Sequence, residues 1–403
     1  MDFTPSQRAR DTAERVRSFI ASEIAPVEDR ILREIREKHH GGEWKRWKVH
    51  PAIETLKAKA RDAGLWNLFL PGGLSTTDYA PVAEETGHSL LAPEIFNCNA
   101  PDSGNMEVLH HFGSAEQKKR WLDPLLAGEI RSTFFMTEPD VASSDATNIS
   151  STIIEDGDEL VLNGRKWWST GVGHPDAKVG IFMGRSNPDN DRHHQHSMVL
   201  VPLEAKGLTI ERMLPVFGEY DEPYGHGQVL FENVRVPRHN IIAGLGKGFE
   251  IAQKRLGPGR IHHCMRAIGA AERALALMIT RGMSRIAFGK PTIDLGSNRE
   301  RVARCRIAID QARLLTLNAA WKIDTAGAME AMTEISAIKV VAPNVLQDVV
   351  DEAIQMHGGA GMSGDLPLTY LFVMARALRI ADGPDEVHLA VIARRELRKY
   401  ADE

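Results

Sequence analysis

Asp382 stands in the run "RIADGPDE", between one helical pattern and a terminal one, where a loop can aim a short carboxylate into a cleft. Far upstream, "FFMTEPDVASSD" from Phe134 and "NGRKWWSTG" from Asn163 combine small polar residues with a double tryptophan. Such segments can offer backbone amides and hydroxyls to a polar heterocycle while Trp168 packs on a ring face. A carboxylate opposite a flat ring is what a general base facing a flavin requires. Each piece also has a plainer reading. Asp382 could be a helix N-cap, the acidic loop with Glu138, Asp140 and Asp145 a surface turn, and Trp167 with Trp168 a core aromatic pair.

Other groups carry less. Gly359, Gly361 and Gly364 spell G-x-G-x-x-G, but a helical pattern precedes them and "DLPL" follows, whereas a dinucleotide fingerprint needs a strand before it. A tight glycine turn near a ligand or another subunit is the better reading. His193, His194 and His196 fall in the polar run "NPDNDRHHQHS", and lacking carboxylate or thiolate partners they read as a solvated loop, so no metal is expected. His262 and His263 follow the "GPG" of 257–259, which should kink or break its helix, with His263 the one expected to be buried. Arg260 and Arg285 are either surface residues or anion clamps. No Ser-His-Asp or Cys-His order and no P-loop is present.

The elements that must position these groups follow from periodicity. From Thr4 to about Gly128 apolar residues recur at three- and four-residue spacing, as in "AIETLKAKARDAGLW", with "NLFLPGG" and "LLAPEIFNCNAPDSGN" loop-like between helices. Between Glu129 and Val236 short alternating runs predict strands, with a hairpin turn at Asp156-Gly157 and a further turn at Asn163-Gly164. After Gly248 long amphipathic helices return, which suggests an antiparallel bundle. The 403 residues suffice for two or three domains. A net charge of −5 argues against a nucleic-acid binder. No apolar run approaches the roughly 18 residues of a membrane span, and the N-terminal stretch has no signal-peptide core. Cys98, Cys264 and Cys305 are few and scattered, which suits buried thiols in a reducing cytoplasm.

In order along the chain, "MTEP" with "SSD", "KWWSTG", "RIAFGKP", "QMHGGAGMSGDLPL" and the carboxylate-glycine before "VIAR" resemble the acyl-CoA dehydrogenase family. With "GLWNLFLP" the resemblance covers nearly the whole chain. It is nearest the branch fused in animals behind a phosphotransferase-like kinase domain, a domain not expected within these residues. The resemblance implies a mainly α fold: a helical N-terminal domain (1–130), a central β-barrel (131–240) and a C-terminal four-helix bundle (241–403). It further implies FAD held between barrel and bundle, a homodimer or homotetramer, and each flavin site built from two chains.

By position, Phe134, Met136, Thr137, Ser144, Trp168, Ser169 and Thr170 resemble flavin-contacting residues. Arg285, Phe288, Gln355, Gly358 and Gly359 resemble those reaching the ADP half of FAD in a neighbouring subunit. Arg260, Ser144 and Gly383 resemble substrate contacts, Arg260 near the CoA. The implied reaction is α,β-dehydrogenation of an acyl-CoA in fatty acid β-oxidation, giving a trans-2-enoyl-CoA. Asp382 is the base, its backbone amide helps hold the enolate oxygen, and an electron-transferring flavoprotein accepts the electrons.

Three departures stand out. Most family members have glutamate where this chain has Asp382, one methylene shorter, and the alternative base position falls on Gly259, which cannot serve. Pro384 and Glu386 replace a threonine and a glutamine that meet the flavin. "MTEPDVASSD" is one residue longer than the common "TEPGAGSD". Same-fold alternatives are a flavin oxidase or monooxygenase, and a flavin-bearing binding protein.

Overall fold

The structure, a computed structural model, describes residues 2–70 and 72–401. Eight helices lead: α1 (Gln7–Phe19), α2 (Ala25–Glu37), α3 (Pro51–Asp62), α4 (Thr76–Gly87), α5 (Ala92–Ile95), α6 (Asp102–Phe112), α7 (Ala115–Gln117) and α8 (Asp123–Ala127). Seven strands follow: β1 (Arg131–Phe135), β2 (Thr152–Asp156), β3 (Glu159–Thr170), β4 (Ala177–Arg185), β5 (His196–Pro202), β6 (Leu208–Met213) and β7 (His226–Pro237). The chain then returns to helix in α9 (Gly248–Ser284), makes the small hairpin β8 (Ile286–Ala287) and β9 (Lys290–Pro291), and ends in α10 (Asn298–Ala326), α11 (Met332–His357), α12 (Leu368–Leu378) and α13 (Asp385–Arg398). Among the described residues no helix is long and apolar enough to cross a membrane.

Side-chain caps set several starts: Ser6 accepts from Ala9 N at α1, Ser75 from Asp78 N at α4, and Ser114 with Gln117 forms a reciprocal capping box at α7. α6 opens inside the stretch expected to be loop. Its first two turns, from Asp102 to Leu109, are buried without an apolar stripe, and Asp102 and Asn105 find polar partners inside. Asp102 accepts from the amide and hydroxyl of Ser132, and Asn105 donates to the Ser132 hydroxyl and the Thr133 carbonyl. α9 spans Gly248–Ser284 without the break expected at 257–259, and the side chains of residues 256–258 lie outside those described.

The residues divide into two compact units. One, built from Arg30–Asn67 and Glu94–Pro258, holds the sheet in the path β1-β4-β2-β3-β7-β6 with β5 on β4. The path has two ends, so the sheet is an open, curled half-barrel. Phe135, Phe182 and Phe231 pack ring to ring at its core, with centroids 4.6–5.1 Å apart. The β2–β3 hairpin pairs Asp156 with Glu159, which places the tight turn at Gly157-Asp158. Asn163-Gly164 is not a turn. β3 continues through it and the register with β7 shifts there, Gly164 taking φ +145° where any Cβ would collide with the Ser151 side chain.

The other unit comprises Met1–Asp29, Leu68–Pro93 and Gly259–Glu403. In it α11 packs on α10, α12 and α13, and α4 packs on α1 and α10. α4 and α9 cross at two glycines: a Cβ on Gly269 would overlap the Glu84 carbonyl oxygen, and one on Gly87 the Arg266 carbonyl oxygen. Only glycine permits that approach. The crossing fixes the turn of α9 that carries residues 260–266.

Candidate active site

Asp382 occupies the turn between α12 and α13. Asp385 N donates to the Arg379 carbonyl at 3.1 Å, and Arg379 Nε donates to Asp385 Oδ2 at 2.8 Å, which closes the turn at its base. At the tip Asp382 and Gly383 take φ of +55° and +102°, left-handed backbone that aspartate tolerates and glycine prefers. A Cβ on Gly383 would stand 3.0 Å from His388 Nε2. Pro384 precedes α13 and no side chain caps that helix, so the N-cap reading of Asp382 falls away.

Three groups from α9 surround the turn. Arg260 is buried and its Nε donates to the Asp382 carbonyl at 2.9 Å. His263 Nε2 lies 3.5 Å from Asp382 Oδ2, both side chains being about one-fifth exposed. The Cβ that Gly259 lacks would stand 3.9 Å from the same oxygen, so position 259 and the carboxylate are adjacent. Behind them Lys339 Nζ donates to the Leu378 carbonyl. Burial lowers the proton affinity of Lys339 and Arg260 and brings His388 down to about 4, while it raises the Cys264 thiol to about 12.

The expected roles of the two adjacent histidines are exchanged. His262 is the buried one, its ring 4.9 Å from Tyr79 and 6.3 Å from Phe69, and burial lowers it to about 3. His263 turns to the carboxylate. A partial signal was present in the sequence, since Arg260 with His263, and His263 with Arg266, are i,i+3 neighbours on α9.

In the sheet unit the double tryptophan sits at a second register shift of β3 against β7, between Lys166 and Ser169. Trp168 takes φ +51° and is 41% exposed, while Trp167 N donates to the Thr137 carbonyl at 3.0 Å. This bond joins the "MTEP" and "KWWST" segments. Lys166, fully buried, joins them again: Nζ donates to Glu138 Oε1 at 2.7 Å, to the Met136 carbonyl at 3.1 Å and to the Met183 carbonyl at 2.7 Å. Glu138 also accepts from Ser150 N, Ser150 Oγ and Ser151 N. Neither Lys166 nor Glu138 stood out as a partner in the sequence. Phe134 lies under the Arg255 guanidinium at 3.9 Å, Thr170 Oγ1 is 2.9 Å from His226 Nδ1, and Ser144 is exposed on the loop after β1.

Arg285, Phe288, Gln355, Gly358 and Gly359 form a separate, exposed group, Phe288 being 95% exposed. Thr292 links their two segments, its N donating to the Arg285 carbonyl at 2.8 Å and its hydroxyl to Met356 Sδ at 3.8 Å. The G-x-G-x-x-G run follows α11 as a 3-10 turn, with no strand before it. Of the loop histidines, His193 stacks on Phe249 at 4.4 Å, but His196 is fully buried in β5 and meets the Ile149 carbonyl at 3.0 Å, so the solvated-loop reading fails for it.

Three family models match in succession: the N-terminal domain of acyl-CoA dehydrogenases over residues 6–129, the middle domain over 133–234 and the C-terminal domain over 246–397. The chain belongs to the acyl-CoA dehydrogenase family. The Mycobacterium tuberculosis protein named "Probable acyl-CoA dehydrogenase FadE2" is 53% identical over 405 residues, covering 99% of this chain and 98% of that protein. Acyl-CoA dehydrogenase family member 11 of Gallus gallus is 52% identical over 98% of this chain but 51% of its own length. The chain thus spans about half, or less, of several curated relatives it matches. Butyryl-CoA dehydrogenase from Megasphaera elsdenii, a solved structure, superposes with a TM-score of 0.79 at 26% identity, over 98% of this chain and 100% of that one.

The family implies FAD, and the sheet unit fits such a group at two points. The Trp168 indole offers an exposed ring face beside its positive-φ backbone. Ser169 Oγ, next in sequence, is buried without a hydrogen-bond partner among the described residues, a cost that a ligand with hydrogen-bonding edges removes.

Proposed function

We propose that the chain is an FAD-dependent acyl-CoA dehydrogenase in which Asp382 takes the α-proton of an acyl-CoA thioester. Bound FAD would supply the acceptor for the β-hydrogen, which leaves with its electron pair as the α-proton passes to Asp382, so two C–H bonds break, a C=C bond forms and a trans-2-enoyl-CoA leaves. The observation that carries the reading is the placement of Asp382: a partly exposed carboxylate on a left-handed turn, its carbonyl clamped by Arg260 and its Oδ2 beside His263 and Gly259. A short side chain held this way loses little entropy on reaching an α-carbon. The reading assigns the Asp382 amide to the developing enolate oxygen, and Gly383 and Arg260 to the thioester ligand. Phe134, Met136, Thr137, Ser144, Trp168, Ser169 and Thr170 are assigned to the flavin, the last three on the strand where β3 bulges. The exposed set Arg285, Phe288, Gln355, Gly358 and Gly359 is assigned to the ADP half of FAD bound by a second copy, in a homodimer or homotetramer.

Electrons pass onward to an electron-transferring flavoprotein, and the reaction serves lipid β-oxidation in the cytoplasm. The test is anaerobic addition of acyl-CoAs of varied length and branching to the FAD-loaded protein. At least one should bleach the flavin absorbance, and Asp382→Asn should bind FAD yet abolish the bleaching. No bleaching by any acyl-CoA rejects the reading, and rapid substrate-dependent peroxide formation in air points to an oxidase instead.

A further inference from the structure

We infer that His263 is a positioning residue for the base, its Nε2–H orienting Oδ2 of Asp382 so that the other carboxylate oxygen meets the substrate. The inference rests on the reading of Asp382 as the base. Arg266 Nη2 stands 3.3 Å from His263 Nδ1. A guanidinium can only donate, so Nδ1 accepts, and the ring proton of the neutral imidazole is left on Nε2. That nitrogen faces Asp382 Oδ2 at 3.5 Å. The contact is electrostatic at this length and becomes a hydrogen bond with a shift of a few tenths of an ångström, of the kind that accompanies substrate binding.

Three features of the chain support this positioning. Gly259 leaves the space beside Oδ2 without a side chain, so the carboxylate has no steric stop there. Aspartate is too short to lean on a distant wall, and a partner on α9 can fix its torsion. The glycine crossing of α9 with α4 at Gly87 and Gly269 holds the turn carrying His263 and Arg266. Other charged and titratable groups also face the turn. Arg260 Nε is committed to the Asp382 carbonyl and Lys339 Nζ to that of Leu378. His388 and Cys264 are buried, which keeps the imidazole neutral and the thiol protonated.

The experiment uses FAD-loaded protein and whichever acyl-CoA bleaches the wild-type flavin anaerobically. His263→Gln keeps an N–H donor near the Nε2 position. His263→Leu removes it, and His263→Asn places its amide too far back to reach. The expected result is a first-order flavin reduction rate that falls roughly 10- to 100-fold in the Leu and Asn variants. It should return to within about fivefold of wild type in the Gln variant, while FAD content and half-saturating acyl-CoA stay within about threefold. Should the Leu variant fail to fold, Asn against Gln decides. Wild-type rates in the Asn variant, or a Gln variant as slow as Asn, overturn the inference while leaving the base assignment standing. An Asp382→Asn protein that still bleaches at the wild-type rate overturns the base assignment itself, whatever the His263 variants do.

Discussion

Arg260 Nε donates to the backbone carbonyl of Asp382 at 2.9 Å across 122 residues of chain. The guanidinium therefore fixes the position of Asp382 through its backbone. A hydrogen bond from a charged donor contributes roughly 1.5–3 kcal/mol. Arg260→Lys loses the Nε–H and the planar fork, so it should reduce flavin about as slowly as Arg260→Ala, roughly tenfold or more below wild type by that range. Anaerobic single-turnover bleaching measures this, and a Lys variant near the wild-type rate would show that charge alone suffices.

Gly259 and Asp382 Oδ2 are neighbours, 3.9 Å from a virtual Cβ. A glutamate at 259 should therefore reach the same reacting carbon. In an Asp382→Asn background, adding Gly259→Glu is expected to restore flavin bleaching by roughly tenfold or more over Asp382→Asn alone, the scale of a positioned general base. Equal rates in the single and double variants would place the two sites out of functional register.

Lys166 and Glu138 form a buried pair that ties "MTEP" to β3. Burial raises the Glu138 carboxyl, but the Lys166 ammonium and its hydrogen bond outweigh this, leaving the carboxyl at about 2. A lowered carboxylate stabilises the fold fully above its unfolded value near 4.5, and that contribution is lost as pH falls from there toward 2. Apparent stability of the wild type should thus drop steeply across this window, and that of Glu138→Gln much less. Lys166→Met strands a buried charge and should cost about 3–5 kcal/mol and much of the bound FAD, partly recovered by adding Glu138→Gln. Urea unfolding followed by flavin and tryptophan fluorescence measures both.

Glu107 on α6 behaves in the opposite sense. Burial pushes its carboxyl up to about 8 despite the nearby Arg255 charge, and its Oε2 has no partner among the described residues. Below about 4.5 both folded and unfolded forms are protonated. Between 4.5 and 8 only the unfolded form ionises, so stability falls as pH rises through that interval, by on the order of 3 kcal/mol at pH 7. Glu107→Gln should remove this slope, melting higher than wild type at pH 8 and equally at pH 4.5. Parallel slopes for both proteins in thermal melts over that range would refute it.

The elements were largely legible because period and turn chemistry are local. "AKVGIFMGRS" and "HSMVLVPLE" became β4 and β5, and the long amphipathic runs became α9, α10 and α11. The failures share a cause. Asn163-Gly164 has the composition of a turn, yet β7 pairs on both sides of it and holds it as a bulge. α6 shows no apolar stripe, and its buried Asp102 and Asn105 are satisfied by β1, a partner that no local window contains. His262 and His263 are adjacent and chemically identical, and only the packing of Tyr79 and Phe69 on one side decides which is buried.

Order and chemistry of the motifs sufficed to place the chain in its family and to single out Asp382, since residue type and turn context are properties of the sequence itself. What surrounds that carboxylate was decided by the fold alone. Arg260 and His263 lie more than a hundred residues before Asp382, and Arg379 only three before it. They converge because α9 is locked against α4 and because the α12–α13 turn closes through Arg379 and Asp385. Distances of a few ångströms between elements so far apart in the chain depend on packing, which is global, and no spacing along the sequence encodes them directly.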